Sequence, residues 1–168
     1  AMLNKQGYKT AFIGKVGNDI FGRQLKAAAQ EAGINTDGLV TDESVNTTLA
    51  FVHTLPGGDR EFSFYRNPGA DMMLSESDID YKLIQNSSIF HFGSLSMTGE
   101  ICEAATKKAV ETAKESGAII SFDPNLRENL WDSLDKAREK IAYGISECDI
   151  LKISDNEIQW FTGEQDFD

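Results

Sequence analysis

The nine residues GKVGNDIFG, positions 14 to 22, combine three glycines with a lysine and an aspartate directly after a short apolar run. Glycine-rich loops of this kind can hold phosphate groups on their backbone amides. A Walker loop requires G-x-x-x-x-G-K-[ST], but Val16 follows the Gly-Lys pair, and the glycine spacing also differs from the G-x-G-x-x-G of dinucleotide sites. The residues therefore predict a strand-to-helix turn, in which Asp19 caps the helix and Gly22 lets it approach a sheet closely.

Phe92, Gly93 and Ser94 stand near the end of the apolar run SIFHFGSL, which is typical of a strand buried in a parallel sheet. The carboxyl ends of parallel strands form the ligand crevice of an open α/β sheet. Small residues at this place leave room for a substrate, so the three residues are candidates for substrate binding. Tight packing inside the core is an equal alternative.

The motif DPNLR, positions 123 to 127, follows the apolar run AIISFD and falls at the carboxyl end of another predicted strand. Because charged groups are costly inside a core, Asp123, Asn125 and Arg127 are expected to face a cleft. A salt bridge between Asp123 and Arg127 that only shapes the loop is the alternative.

Two more motifs carry candidate site residues. Arg66 lies in FYRNPGAD, and its guanidinium has a fixed fork of donors that suits vicinal hydroxyls or a carboxylate; a solvated surface arginine is the alternative. Ser154 and Glu157 lie in KISDNE, which places a carboxylate three residues after a serine. A plain helix cap by Ser154 or Asp155 explains the same pattern.

Composition excludes several classes of protein. The 168 residues carry 16 basic and 27 acidic side chains, a net charge of -11, which disfavours nucleic acid and anionic membranes as partners. No apolar run approaches the roughly 20 residues of a membrane-spanning helix. Cys102 and Cys148 stand far apart with only two histidines in the chain, so neither disulfides nor a zinc site is predicted. A cytoplasmic protein with reduced thiols is expected.

Short apolar runs alternate with longer amphipathic stretches, which predicts an α/β fold with a parallel sheet and helices on both faces. The predicted strands cover residues 10–14, 88–95, 118–123 and 149–154. Helices are predicted from a cap at Asp19 to Ala32, from a cap at Thr98 to the residue before Gly117, and over residues 134–147 and 156–161.

One segment departs from this alternation. The runs NTTLAFVHTL and REFSFYR flank the turn PGGD without a helix between them, which predicts an antiparallel hairpin over residues 47–66. An isolated hairpin is marginal in water, so Phe51, Phe62 and Phe64 need a covering surface. The α/β core would then comprise residues 1–46 and 67–168. Both ends of the chain look unfinished, which suggests a segment of a longer polypeptide.

Taken together and in order, GKVGNDIFG, FYRNPGAD, SFDPNLR and KISDNE resemble PfkB-type carbohydrate kinases of the ribokinase-like superfamily, with fructokinases closest. Val16, Gly17, Asp19 and Gly22 match the end of the family's first signature. The resemblance implies a Rossmann-like three-layer α/β fold with a parallel sheet, in which the hairpin is a lid over the sugar and forms the contact of a homodimer. It also implies that the glycine stretch shapes the sugar side of the cleft and holds no phosphate.

The same resemblance implies roles for the candidate residues, with ATP and Mg²⁺ as cofactors. Arg66, Phe92, Gly93, Ser94 and Arg127 would bind the sugar. Asp123, Asn125, Ser154 and Glu157 would lie on the phosphate side, and Glu157 would hold magnesium through water. Ser154 departs from the family's motif, which has asparagine at this position, whereas Glu157 matches it.

The family's catalytic aspartate, in a G-A-G-D turn, has no match in this chain, and the segment alone is expected to be inactive. The expected reaction of the parent protein is ATP-dependent phosphorylation of a sugar, D-fructose to fructose 6-phosphate. Alternatives are a related kinase for ribose, a ribonucleoside or 2-keto-3-deoxygluconate, and a non-catalytic sugar-binding protein.

Overall fold

The computed structural model describes residues 1–58 and 60–164, and its α/β elements form two compact units, Ala1–Asp80 and Tyr81–Asp168. Among the described residues the parallel strands belong to two separate sheets, one of two strands and one of three. The predicted α/β class with parallel strands is confirmed.

The first unit begins with helix α1 (Met2–Lys5) and continues with strand β1 (Gly14–Gly17), helix α2 (Ile20–Glu31) and strand β2 (Leu39–Asp42). Strands β1 and β2 pair in parallel, with Gly14 opposite Leu39. Helix α2 has the predicted cap at Asp19. The prediction of a strand over residues 10–14 was wrong. Ala11 makes only an isolated bridge to Asn35, because the chain turns directly after Asn35, where the N–H of Leu39 donates to the carbonyl of Thr36. Strand β2 was missed since it is short and half polar.

The predicted hairpin is present as strands β3 (Leu49–Thr54) and β4 (Arg60–Tyr65), which pair antiparallel with each other. Phe62 and Phe64 stack on one face with ring centroids 6.0 Å apart and are half-buried. Phe51 and Tyr65 meet edge to face on the other side and remain 58% and 68% exposed. The hairpin therefore has one partly covered face and one open aromatic face.

Two short 3₁₀ turns complete the first unit, at Ala70–Met73 and Glu76–Asp78. The first of these turns is anchored beside the hairpin, because the fully buried Ala70 donates its N–H to the carbonyl of Asn46 at 2.9 Å.

The second unit is a parallel sheet in the order β5 (Ile89–Gly93), β6 (Ile119–Asp123) and β7 (Ile150–Leu151). Its helices are α3 (Tyr81–Gln85), α4 (Glu100–Glu115), α5 (Leu134–Glu147) and α6 (Asp155–Thr162), with 3₁₀ turns at Ser94–Met97 and Glu128–Leu130. Residues on one sheet face are buried, including Phe92, Ile120 and Phe122, whereas Ile89, Ile119 and Ile150 on the other face are exposed. Burial thus alternates with the two-residue period of the strands.

The predicted helix over residues 134–147 agrees with α5 at both ends, and α6 is one residue longer at each end than predicted. The predicted cap of α4 was wrong. Gly99 precedes its first turn, and the hydroxyl of Thr98 donates instead to the carbonyl of Leu95 at 2.9 Å. The 3₁₀ turn Ser94–Met97 leads directly into the helix and places that carbonyl within reach of the threonine.

Candidate functional site

The glycine stretch at the start of α2 forms an internal junction centred on Asp19. Its Oδ1 accepts from the N–H of Gly22 at 2.8 Å and from Thr47 Oγ1 at 2.9 Å, and its Oδ2 accepts from the N–H of Thr47 at 2.7 Å. Thr47 Oγ1 in turn accepts from the N–H of Gly17. The N–H groups of Thr47 and Gly22 lower the pKa of Asp19. Asp19 thus ties the start of α2 to the entry of the hairpin.

Gly17 and Gly22 are both required at this junction because backbone atoms of other residues approach them closely. A Cβ on Gly17 would lie 2.6 Å from the nitrogen of Thr47, and one on Gly22 would overlap the carbonyl oxygen of Gly17. Real Cβ atoms do not come this close to backbone atoms, so the stretch is used to pack the chain against itself.

Arg66 follows β4 and lines a cleft of about 390 Å³ within the first unit. Its side chain is only 6% exposed, and its Nη2 lies 2.6 Å from Asp71 Oδ2. The cleft combines polar and apolar side chains, which are the kinds that bind a sugar's hydroxyls and its apolar face. The polar ones include Asn46, Thr47 and Asn67, and the apolar and aromatic ones are Leu49, Phe64, Tyr65 and Pro68.

Strands β5 and β6 end together, because Gly93 pairs with Asp123. Phe92 is buried against Phe122, with ring centroids 4.7 Å apart. Ser94 is 0% exposed and its hydroxyl donates to the carbonyl of Pro124. The side chains of Phe92 and Ser94 therefore pack tightly, the alternative noted above, and sugar binding by residues 92–94 stays a prediction.

The loop after β6 carries Asp123, Asn125 and Arg127. Asp123 Oδ2 forms an ion pair with Lys152 Nζ at 3.0 Å. The other oxygen, Oδ1, is buried and has no hydrogen-bond partner among the described residues. Asn125 is exposed and, among residues 1–58 and 60–164, is the one non-glycine residue with a positive φ, at 45°. Arg127 Nη1 donates to the carbonyl of Leu126 at 2.7 Å. The loop thus combines a left-handed residue, Asn125, with a buried carboxylate oxygen of Asp123 that has no hydrogen-bond partner among the described residues.

Glu157 fastens this loop to the start of α6. Its Oε1 accepts from the N–H of Leu126 at 2.7 Å, and its Oε2 accepts from the N–H of Ser154 at 3.0 Å and from Ser154 Oγ at 2.7 Å. The bond from the Ser154 N–H forms a capping box together with a bond from the backbone N–H of Glu157 to the Ser154 side chain, as the alternative reading of KISDNE predicted. Burial by itself raises the pKa of Glu157, but the bonds from Ser154 and Leu126 outweigh it, so the pKa lies below its ordinary value and the group stays ionised.

The chemistry of these donors suits a hydrated magnesium ion. Mg²⁺ prefers oxygen ligands and keeps several of its waters, so it is commonly bound through one or two carboxylates. Asp123 offers an unpartnered buried oxygen, and Glu157 offers a charge fixed in place. Within residues 1–58 and 60–164 there is no cluster of three or more His, Cys, Asp or Glu side chains placed to enclose a metal ion directly.

The sequence model of the family described as "pfkB family carbohydrate kinase" matches residues 1–168, the whole of this chain. The chain belongs to the pfkB family of carbohydrate kinases. The resemblance stated from the four motifs is thereby confirmed.

Known pfkB proteins resemble the chain in sequence and in structure. Fructokinase-1 from Oryza sativa subsp. japonica is 46% identical over 157 residues, which cover 94% of this chain and 49% of the relative. The crystal structure of fructokinase from Xylella fastidiosa superposes with a TM-score of 0.87 at 35% identity, covering 94% of this chain and 48% of that one. Fructokinase from Vibrio cholerae O395, in a fructose, ADP and calcium ion bound form, gives a TM-score of 0.86 at 30% identity, covering 95% and 51%.

The chain spans about half the length of the curated relatives that it matches. In the part of the chain that the structure describes, no helix is both long and apolar enough to cross a membrane.

Within this pfkB chain, the sequence-predicted residues fall into the two units. Arg66 lies in Ala1–Asp80, and the other candidates lie in Tyr81–Asp168. The second unit brings together the ends of β5 and β6, the 123–127 loop and the start of α6, through the contacts of Ser94 and Glu157. A single cavity shared by Arg66 and these residues stays a prediction, as do the lid role of the hairpin and the division of the chain at residues 47–66.

Sequence reasoning did not single out three residues with tertiary roles. Asp71 and Lys152 are the ion-pair partners of Arg66 and Asp123. The signal for Asp71 was its place in FYRNPGAD, whereas Lys152 stands in KISDNE with no pattern that indicates its partner.

The third missed residue is Lys15, which joins β1 to β2 and to the 3₁₀ turns. Its ammonium donates to Asp78 Oδ2 at 3.0 Å and to the Met73 carbonyl at 3.1 Å, and it lies 3.4 Å from Asp42 Oδ2. Burial lowers the pKa of Lys15, but Asp78 and Asp42 outweigh it and raise the pKa above its ordinary value. The bonds from Ser44, together with Lys15, lower the pKa of Asp42 to about 2. The lysine of the glycine stretch is therefore occupied by carboxylates of its own chain.

Proposed function

We propose that the complete protein transfers a phosphoryl group from ATP to a sugar hydroxyl, with D-fructose as substrate and fructose 6-phosphate as product. The observation that carries the proposal is the membership of the whole chain in the pfkB family. The fructokinase from Vibrio cholerae O395 that resembles this chain binds fructose and ADP. The mixed polar and aromatic cleft beside Arg66 supports a sugar substrate.

Some residues of this chain would bind the sugar, and others would lie beside the charged phosphates. Arg66 and the end of β5, residues 92–94, would hold the sugar together with Arg127. Asp123, Asn125, Ser154 and Glu157 would lie toward the phosphates, and Glu157 would hold Mg²⁺ through a bound water. ATP supplies the transferred group and Mg²⁺ neutralises its charge. The base that accepts the sugar's proton would lie outside these 168 residues.

The test is a panel of sugars incubated with the purified complete protein, ATP and MgCl₂, with ADP formation and product mass as readouts. We expect fructose to give the highest kcat/KM. A preference for ribose, a ribonucleoside or 2-keto-3-deoxygluconate would support the proposed kinase activity but contradict fructose as its substrate. Sugar binding without ADP formation would identify a non-catalytic binder and refute the proposal.

Replacement of Arg66 by alanine is expected to raise the KM for the sugar by about tenfold or more while kcat changes little, because an arginine fork that holds hydroxyls contributes mainly to binding. Steady-state kinetics at saturating ATP measure this. Arg60→Ala is the matched control, because Arg60 is the exposed first residue of β4, the strand that Arg66 follows. Equal effects of the two substitutions on the sugar KM would contradict the role of Arg66.

We also propose that the protein is a cytoplasmic homodimer. Cys148 is a free cysteine, as expected in a reducing compartment. A second copy that covers the hairpin would bury the exposed rings of Phe51 and Tyr65. Sedimentation velocity should give a dimer that Tyr65→Lys converts to monomer. A monomeric wild-type protein at micromolar concentration would refute the proposed homodimer.

A further inference from the structure

Asp71 lies at the base of the hairpin and contacts residues from both of its ends. Thr48 directly precedes β3, and Arg66 directly follows β4. Asp71 itself belongs to the 3₁₀ turn Ala70–Met73, five residues beyond Arg66. The three side chains therefore bring together segments that enter, leave and follow the hairpin.

Each oxygen of the Asp71 carboxylate has its own donor group. Oδ2 accepts from Arg66 Nε at 2.7 Å and lies 2.6 Å from Arg66 Nη2, so one edge of the guanidinium is held at two nitrogens. Oδ1 accepts from Thr48 Oγ1. Two contacts on one planar group set both its position and its rotation, which a single contact does not do.

Gly69 gives independent support for this arrangement. A Cβ at Gly69 would overlap Thr48 Oγ1 and would lie 2.7 Å from Asp71 Oδ1 and 3.0 Å from Arg66 Cγ. The cluster closes only because this position has no side chain. The turn that carries Asp71 is also firmly placed, since Ala70 is fully buried and bonded to Asn46.

The cleft and the cluster share only Arg66. Arg66 lines the cleft of about 390 Å³, whereas Asp71 and Thr48 are not among its lining residues. Asp71 therefore contacts the arginine without lining the cleft, and its side chain is 40% exposed, whereas that of Arg66 is 6% exposed.

From this geometry we propose that Asp71 is a positioning residue for sugar binding. It holds the Arg66 guanidinium in the orientation in which it binds the hydroxyls of the substrate, and Thr48 holds Asp71. The inference rests on the proposed function, because it assigns the sugar to the Arg66 cleft. It adds a residue that acts on the substrate only through the arginine.

The test compares Asp71→Asn, Thr48→Val and the control Asp37→Asn in the complete protein. Asp37 is an exposed aspartate of the same unit, so its substitution makes the same chemical change away from the cluster. For Asp71→Asn we expect the sugar KM to rise about tenfold, with kcat and the ATP KM within about twofold of wild type. Thr48→Val, which removes one supporting bond, should raise the sugar KM about threefold. Asp37→Asn should match wild type.

A second readout follows the arginine without using catalysis. Phenylglyoxal modifies guanidinium groups, and mass spectrometry of peptides gives the rate at Arg66. We expect this rate to rise about fivefold in Asp71→Asn and to stay unchanged in Asp37→Asn, because Asp71→Asn weakens the charge-assisted contact of two guanidinium nitrogens with Oδ2.

The outcomes separate the two proposals. Active wild-type protein with an unchanged sugar KM in Asp71→Asn and Thr48→Val would overturn the positioning role alone. A faster modification of Arg66 with an unchanged sugar KM would also overturn it and leave Asp71 with a structural role only. Absence of sugar phosphorylation by the wild-type protein would remove the proposed function and this inference with it.

Discussion

Replacement of Glu157 by alanine is expected to lower the kcat for sugar phosphorylation by about a hundredfold, a size typical of groups that support a metal or its ligands. Three hydrogen bonds are lost at once, one from Leu126 and two from Ser154. The 123–127 loop then loses the Leu126 hydrogen bond to α6, and the negative charge proposed to hold Mg²⁺ through water disappears. Steady-state kinetics of the complete protein at several MgCl₂ concentrations measure the effect.

Two further variants separate these causes. Asp155→Ala removes a carboxylate from the same first turn of α6, but Asp155 is exposed and takes no part in the 123–127 loop contact, so its kcat should remain near that of wild type. Glu157→Gln keeps an acceptor oxygen and loses the charge, and should raise the Mg²⁺ concentration needed for half-maximal rate. A wild-type kcat in Glu157→Ala would show that neither the loop contact nor the charge is needed.

Replacement of Gly144 by alanine is expected to destabilise the protein by about 3 kcal/mol, at the upper end of typical overpacking costs. Gly144 lies in α5 directly over the ring of Phe122, which is 0% exposed. A Cβ at this position would overlap the ring, with 2.6 Å to its Cε2 atom. Because the ring is enclosed, the helix has to move away from β6. Urea unfolding followed by circular dichroism measures the change.

The sign of this effect makes it a strict test. In an exposed helix interior, alanine is more stable than glycine by about 1 kcal/mol. Ala142, two residues earlier in α5, is exposed, so Ala142→Gly should destabilise by about that amount. Alanine should therefore be favoured at position 142 and strongly disfavoured at position 144. Stabilisation by Gly144→Ala would mean that α5 does not rest on Phe122.

The Glu157 variants and the Gly144 variant probe connected parts of the second unit. Phe122 precedes Asp123 in β6, and Asp123 begins the loop that Glu157 holds. A shift of α5 away from β6 would therefore move the strand end that carries Asp123. We expect Gly144→Ala to lower kcat as well as stability, although Gly144 does not contact the loop.

The sequence predicted local features that depend on neighbouring residues. Helices α2 and α5 were predicted closely because both have an amphipathic pattern that matches the observed helix. In α2 the cap at Asp19 also marks the first turn. The hairpin followed from two apolar runs and the turn PGGD. Strand β2 was not predicted, and the cap of α4 was predicted wrongly. A short half-polar strand and a 3₁₀ turn have only weak patterns in the order of residues.

By itself, then, the amino-acid sequence determined the α/β class, most helix ends, the hairpin and, through four ordered motifs, the family. Only the tertiary structure decided which side chains meet: Asp71 with Arg66, Lys152 with Asp123, and Glu157 with Leu126, which is 31 residues away. It also decided that Ser94 bonds to Pro124 and that Lys15 is held by two aspartates. The physical reason is range: caps and periodicity act within a few residues along the chain, whereas ion pairs and packing depend on how distant segments approach in space.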